Sequence, residues 1–221
     1  MHTPSEENYL KAIYKLSENK NHPVLTNSIA ELMQTKAASV TDMLKKLSAK
    51  KLIHYKKYQG VALTLEGKQK AISILRKHRL WEYFLVEKLK FNWDEVHEAA
   101  EELEHINSQM LTDRLDEFLN FPRFDPHGDP IPDKNGKIFS NNYVALSDLK
   151  INDKGKVGGV GEQHTAFLKH LGKLNINLGT AIQLKEIHEF DKSVSVSIDK
   201  KPAITLSYEV SKNILMSIEK I

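Results

Sequence analysis

The sequence predicts an α+β protein that is mostly α: an N-terminal winged helix-turn-helix, a helical middle and a small β-barrel-like domain at the C-terminus. Three observations predict it. Residues 1–60 run as helix, short helix, helix and hairpin. Residues 66–119 carry two long helical patterns. Beyond a stretch at 120–155 that holds four of the seven Pro, apolar residues alternate with the period of strands.

Each element has its own signal. In "TPSEENYLKAIYKLSE", Thr3 and Glu6 form a capping box, Pro4 suits the first turn, and Leu10, Ile13 and Leu16 recur at helical spacing. "TNSIAELM" (26–33) reads as a short second helix. "AASVTDMLKKLSAKKLI" follows, with Val40, Met43, Leu44 and Leu47 on one stripe. "IHYKKY" and "VALTL" read as strands joined around Gly60, with Tyr55 and Tyr58 open between packing and surface contact. Residues 66–89 form a long helix with Ile72, Leu75, Trp81, Phe84 and Leu85 as apolar contacts. "NWDE" (92–95) is a second capping box, expected to open a helix reaching about Leu119, whose later part "MLTDRLDEFL" is amphipathic. Two such helices suit a dimer interface or packing on the first domain. "KVGGV", "TAIQLKEI", "SVSVSI" and "AITLSY" read as strands and "TAFLKHLGKL" as a helix. The domains are accordingly placed at 1–72, 73–140 and 156–221, with 141–155 as a linker.

Composition narrows the chemistry. The 221 residues include no Cys, which excludes disulfides, thiol catalysis and thiolate metal sites, so any metal must take N and O ligands. No apolar run approaches the roughly 18–20 residues that span a bilayer, and the N-terminus has no secretion signal, so a cytoplasmic protein is expected. The net charge of +3 is unevenly spread. Residues 1–60 hold ten Lys against five Asp/Glu, whereas residues 92–121 hold nine Asp/Glu and one Arg. A basic first third suits a polyanion and an acidic middle suits a cation.

The acidic middle contains "VHEAAEELEH" (96–105). On a continuous helix of about 100° per residue, His97, Glu101, Glu104 and His105 share one face, opposite Val96, Ala99, Leu103 and Met110. Glu98 and Glu102 fall at its edge and read as solvated charge. The like-charged pairs repel by roughly 0.2–0.5 kcal/mol each, with no base nearby in sequence to offset them, and a divalent cation reverses that sign. His78 and Glu82, one turn apart in "RKHRLWEYF", offer a second His/carboxylate pair. Carboxylates and imidazoles suit Mn(II), Fe(II), Co(II) or Zn(II), with selectivity set by geometry rather than affinity.

In the third helix Lys36, Ser39, Thr41 and Asp42 point away from the apolar stripe, and the small Ala37 and Ala38 allow close approach to a groove. Lys45, Lys46, Lys50, Lys56 and Lys57 are suited to phosphates.

A winged helix followed by "RKHRLWEYFLVEKL", "WDEVHEAAEELEH", a "DPHGDPIP" loop and a β-domain resembles the diphtheria-toxin-repressor family of metal-dependent transcriptional regulators over nearly the whole chain. The resemblance implies a homodimer that binds double-stranded operator DNA when metal-loaded and represses metal-uptake genes. It implies a C-terminal SH3-like domain of the ferrous-transport-protein-A type and no membrane partner. It places a primary metal site on Glu101, Glu104 and His105 with Asn8 of the first helix. An ancillary site falls on His78, Glu82 and His97, with Glu162 and Gln163 of "GVGEQH" from the C-terminal domain. DNA contacts fall on Lys36, Ala38, Ser39, Thr41, Asp42, Lys45, Lys46, Lys56 and Lys57. Glu101 stands where the iron-sensing branch has Cys, which points to Mn(II). Asn8 departs from the Asp of that manganese branch, and Lys11 from a Glu that holds a second metal in one subgroup. An Fe(II)-responsive regulator, a carboxylate/His metalloenzyme and a winged-helix sensor of an organic ligand are the alternatives. A di-iron enzyme needs Glu-x-x-His from two helices, and "ELEH" supplies it once.

Overall fold

The computed structural model describes residues 3–18, 23–57 and 59–218. The chain divides into two compact units, and the division cuts across helices. The first holds the residues up to His78 together with Glu101–Leu115 and Pro132–Ile138; the second holds Arg79–Ala100, Asp116–Ile131 and the residues from Phe139 on.

The first unit contains a winged helix-turn-helix. α1 (Pro4–Ser17) is capped reciprocally: Thr3 Oγ1 accepts from Glu6 N at 3.3 Å, and the Glu6 carboxylate accepts from Thr3 N at 3.1 Å. α2 (Thr26–Leu32) and α3 (Ala37–Ala49) follow. β1 (Ile53–Lys56) and β2 (Gly60–Leu63) pair antiparallel, with Ile53 opposite Leu63. An isolated bridge from Val24 to Val61 ties the start of the turn to the wing. Gly60 is obligatory there: its φ is +95°, and a Cβ would lie 2.9 Å from both Pro23 Cβ and Val24 O. Leu10, Ile13, Val40, Leu44, Leu47, Leu52 and Val61 are buried together, so α1 and α3 share one core. Tyr55 packs against that core, and Tyr58 lies outside the described residues.

α4 (Leu65–Glu87) is continuous through both units. The helix expected from 92 to 119 is instead two. α5 covers Val96–Leu103 and α6 covers Gln109–Phe118. The break has a local cause. Ser108 Oγ accepts from Leu111 N at 3.3 Å, starting a new helix where the sequence reads "HINS", whose Asn107 and Ser108 favour caps and turns over helix interiors. Met110, expected on the apolar face, is exposed as a result. "NWDE" makes half of its box, the Glu95 carboxylate accepting from Asn92 N at 3.3 Å.

In the second unit six strands form one antiparallel sheet in the order β3-β8-β4-β5-β6-β7. They are β3 (Val144–Ala145), β4 (Lys154–Val160), β5 (Ala181–Ile187), β6 (Val194–Ile198), β7 (Ile204–Leu206) and β8 (Ile214–Ile218), with α7 (Thr165–Lys173) and the short α8 (Tyr208–Ser211) between them. Register shifts at Val157/Gly159 and Leu184/Glu186 mark bulges, which increase the local bend and twist of the strands. Two strands escape the sequence pattern. β8, between β3 and β4, comes from "ILMSI", and β3 lies in the segment read as a linker. That segment also carries a 3-10 turn (Leu146–Asp148), and Leu146 and Leu149 are buried in the C-terminal core. No described helix is long and apolar enough to cross a membrane.

Candidate metal centres and nucleic-acid face

Two clusters of carboxylates and imidazoles stand out, one in each unit. The first gathers where α1 meets the turn that ends α5. Glu104 is fully buried, and its Oε2 lies 2.6 Å from His78 Nδ1. Lys11 Nζ donates to both Glu104 oxygens at 2.7 Å and approaches Glu101 Oε1 at 3.4 Å. Burial pushes the Glu104 carboxyl up, but hydrogen bonding to His78 and the charge of Lys11 outweigh it and hold the group below its usual range. His105 Nδ1 donates to Glu7 Oε2 at 2.6 Å, which leaves Nε2 facing Glu104 Oε1 at 3.8 Å. Asn8 Oδ1 is buried and has no hydrogen-bond partner among the described residues. An orphaned carbonyl oxygen of this kind costs about 1–3 kcal/mol, and a cation ligated there would remove the penalty. The donor set of carboxylate, amide oxygen and imidazole therefore fits a divalent ion of the Mn(II) or Fe(II) type.

The sequence reading places Glu101, Glu104 and His105 together, and so does the structure. It differs in how they are displayed. Glu104 and His105 project from the turn after α5, so Glu104 is buried rather than on a solvent-facing stripe. Glu98 and Glu102 are exposed, as solvated charges should be. Glu7, which orients His105, was not anticipated; a carboxylate beside Asn8 on the same first turn was the available signal.

The second cluster lies within the second unit. Glu82, Asp125 and His127 are all buried, and their ligand atoms fall within 4.8 Å of one another. Gly128 makes this arrangement possible. Its φ is +87°, and a Cβ would meet Gly158 O at 2.2 Å and Gly159 Cα at 2.4 Å. The loop thus lies directly on β4, where His127 O accepts from Val160 N at 2.9 Å. His127 Nε2 donates to Trp93 O at 2.8 Å, which directs Nδ1 to Glu82 Oε2 at 3.7 Å. Trp93 stacks on the imidazole at 6.2 Å. Burial works against the His127 cation, but Glu82 and Asp125 prevail and raise it to about 9. Burial and the neighbouring carboxylates of Glu82 and Asp129 raise Asp125 to about 7, against the opposing charge of Arg79.

The other expected ligands of the second unit are His97, Gln163 and Glu162. His97 Nδ1 lies 3.4 Å from Glu82 Oε1, with more than half of its side chain exposed. Gln163 Nε2 donates to Asp129 Oδ2 at 3.2 Å, beside the Arg79 guanidinium at 3.0 Å. Glu162 is exposed and accepts from His164 N at 2.8 Å. Asp125 and His127 belong to the "DPHGDPIP" loop. They reach Glu82 from across 43 residues or more, which no periodicity reveals.

On the opposite chemistry, Lys36, Ala38, Ser39, Asp42, Lys45 and Lys46 are exposed at and along α3, and Lys56 and Lys57 are exposed in the wing. Thr41 is half-buried and spends its hydroxyl on Ala37 O at 2.9 Å. Asp42 pairs with Lys45 at 3.1 Å. Lys50 pairs with the buried Glu6 at 2.7 Å, fastening α3 to α1 rather than facing a phosphate.

Comparison with known proteins places this architecture. Residues 1–61 match the iron-dependent repressor N-terminal DNA-binding domain, 64–133 the iron-dependent repressor metal-binding and dimerisation domain, and 144–218 the FeoA domain. The iron-dependent repressor IdeR of Mycobacterium leprae is 36% identical over 126 residues, covering 57% of this chain and 54% of that protein; the match thus spans about half of that relative's length. The regulator MntR of Oceanobacillus iheyensis is 35% identical over 121 residues, 55% of this chain and 81% of its own. A solved manganese-dependent transcriptional repressor in complex with manganese superposes with a TM-score of 0.85 at 31% identity, covering 97% of this chain and all of the other. The manganese regulator SloR superposes at 0.76 and 33% identity, covering 99% of this chain and all of its own. Relatives of this kind are DNA-binding regulators rather than enzymes. With its DNA-binding, dimerisation and FeoA segments in the same order, the chain belongs to the diphtheria-toxin-repressor family of metal-dependent transcriptional regulators.

Proposed function

We propose that this chain is a Mn(II)-responsive repressor of metal-uptake genes that acts in the cytoplasm and binds operator DNA as a homodimer. The observation that carries the reading is the meeting of α1 with Glu101, Glu104 and His105 inside the unit that holds α3. Glu101, Glu104, His105 and Asn8 are the primary ligands. A bound divalent cation supplies the positive charge that offsets the mutual repulsion of these carboxylates. The protein's own part is mechanical: Tyr9, Leu10 and Ile13 of α1 share a core with Val40, Leu44 and Leu47 of α3. A constraint on α1 is therefore passed to the recognition helix through packed side chains. Lys36, Ala38, Ser39, Thr41 and Asp42 face the major groove, and Lys45, Lys46, Lys56 and Lys57 face phosphates.

A second, ancillary position is built on Glu82, to which His78 and His97 were assigned from sequence. Its burial, and the bond from His127 Nε2 to Trp93 O that turns Nδ1 to Glu82, favour adding Asp125 and His127 to that set. Glu162 and Gln163 then belong to its surroundings. Dimerisation is supported by Leu89, Phe91, Phe118 and Phe121 of the second unit, large apolar side chains that are all exposed. Glu101, a hard oxygen ligand, favours Mn(II). The iron-dependent relatives favour Fe(II) as the second reading.

The test is selection of duplexes from a random pool with Mn(II), followed by titration of the selected DNA against Mn(II), Fe(II), Co(II) and Zn(II). Metal raises affinity at least tenfold in the native chain, with Mn(II) effective at the lowest free concentration. Glu104→Ala removes the response. Equal affinity with metal, without it and in the variant would overturn the proposal.

A further inference from the structure

Lys11 is an unusual neighbour for carboxylates that are to take a cation. Its ammonium is 2.7 Å from both oxygens of the fully buried Glu104 and 3.4 Å from Glu101. Its side chain is only 15% exposed. The acceptor oxygens it occupies are those a metal ion would need. A buried carboxylate without a counter-charge is strongly unfavourable, and the ammonium supplies one from within the chain. One turn earlier on the same helix, Asn8 Oδ1 is buried with no hydrogen-bond partner among the described residues. The cluster thus holds one acceptor left unfilled and two carboxylates already answered by a tethered charge.

We propose that Lys11 is a built-in competitor. Its ammonium holds Glu101 and Glu104 when no metal is present, and it has to leave before those carboxylates can accept a divalent ion. Two positive charges a few ångströms apart repel strongly in a partly buried setting, so ammonium and metal exclude each other. The four-carbon stem lets the ammonium swing out without moving α1, and a compact point charge suits this task better than a planar guanidinium. Lys11 then has two effects. It anchors α1 to the turn after α5 in the metal-free chain, and it raises the metal concentration at which the site fills. The inference rests on the reading of Glu101, Glu104 and His105 as metal ligands.

The experiment is calorimetric titration of the full chain with Mn(II), beside melting curves in chelator and in saturating Mn(II). The binding step followed is the one that Glu104→Gln abolishes. Lys11→Gln binds Mn(II) in that step at least tenfold more tightly than the native chain. It also melts lower in chelator, and the gap closes or reverses in Mn(II). Lys11→Arg, which keeps a cation, retains the weaker loading of the native chain. Lys77 serves as a control: it feels the charges of Glu7 and Glu104. Lys77→Gln tightens binding less than threefold. Unchanged or weaker binding in Lys11→Gln, or equal tightening in Lys77→Gln, overturns the displacement idea and leaves the site reading intact. If Glu104→Gln abolishes no step, the site reading fails and takes the Lys11 inference with it.

Discussion

The two acidic clusters are neutralised in different ways. In the first, Lys11 donates directly to the carboxylate oxygens that would ligate a metal. In the second, the Arg79 guanidinium goes mainly to Asp129 Oδ2 at 3.0 Å and Pro130 O at 2.6 Å, and it stays 3.6 Å from Asp125 Oδ2. Asp125 Oδ1 is spent on the backbone N–H groups of His127 and Asp129. Arg79 therefore serves as scaffold, and Lys11 as an occupant. A flexible point charge can vacate a site; a guanidinium fixed by a carbonyl and a carboxylate cannot leave without dismantling the loop. The first cluster is built to respond and the second to hold.

The largest test of that contrast is the removal of Glu104. Glu104→Ala leaves Lys11 and His78 facing each other with little solvent, and loss of one partner from a buried charge pair costs about 3–5 kcal/mol. Urea unfolding in chelator should show a drop of at least about 3 kcal/mol, and excess Mn(II) should not close the gap to the native chain. A loss below about 1 kcal/mol would mean that the cluster is less tightly closed than its geometry implies.

A smaller effect is expected from His127→Ala. The variant strands Trp93 O and one face of Glu82, which costs about 1–3 kcal/mol for a buried group left unpaired. Mn(II) stoichiometry should fall by one ion per chain, with the step abolished by Glu104→Gln still present. Loss of both steps together would show that the clusters load as one.

Much of this was legible in the residues, unevenly. The winged helix could be read because its caps, its apolar stripe and its turn glycine are all local in sequence. Glu101, Glu104 and His105 could be read because they lie within five positions. The break before Gln109 was missed because Val96–Phe118 keeps an amphipathic pattern on both sides, and Ser108 restarts the helix with a single hydroxyl. β8 was missed because "ILMSI" does not alternate cleanly. The second cluster was missed because its parts come from α4 and from a loop laid on β4 by Gly128, a contact between distant segments. Lys11 was noticed only as a departure from a family pattern. Its two short bonds to Glu104 depend on the packing of α1 and cannot be seen in a window of sequence.

The most delicate distinction between the clusters is their response to pH in chelator. His127 is raised from 6.5 to about 9, so the folded chain holds that proton more tightly than the unfolded one. Its contribution to stability is complete below about pH 6.5 and is lost as pH climbs through about 9. Asp125, raised to about 7, has the same sign and has finished titrating by then. Glu104, held below its usual range, has the opposite sign, and its contribution is lost only in acid. Between pH 7 and 9.5 the second cluster should therefore weaken while the Glu104 contribution stays constant. Melting temperature in chelator should decline over that window in the native chain and more shallowly in His127→Gln. Because a metal ligand must be a neutral imidazole, Mn(II) uptake at Glu82 and His127 should also tighten as pH rises over the same range. A native chain whose stability is flat from pH 7 to 9.5 would show that His127 is neutral, and that the second cluster stands ready for metal without first losing a proton.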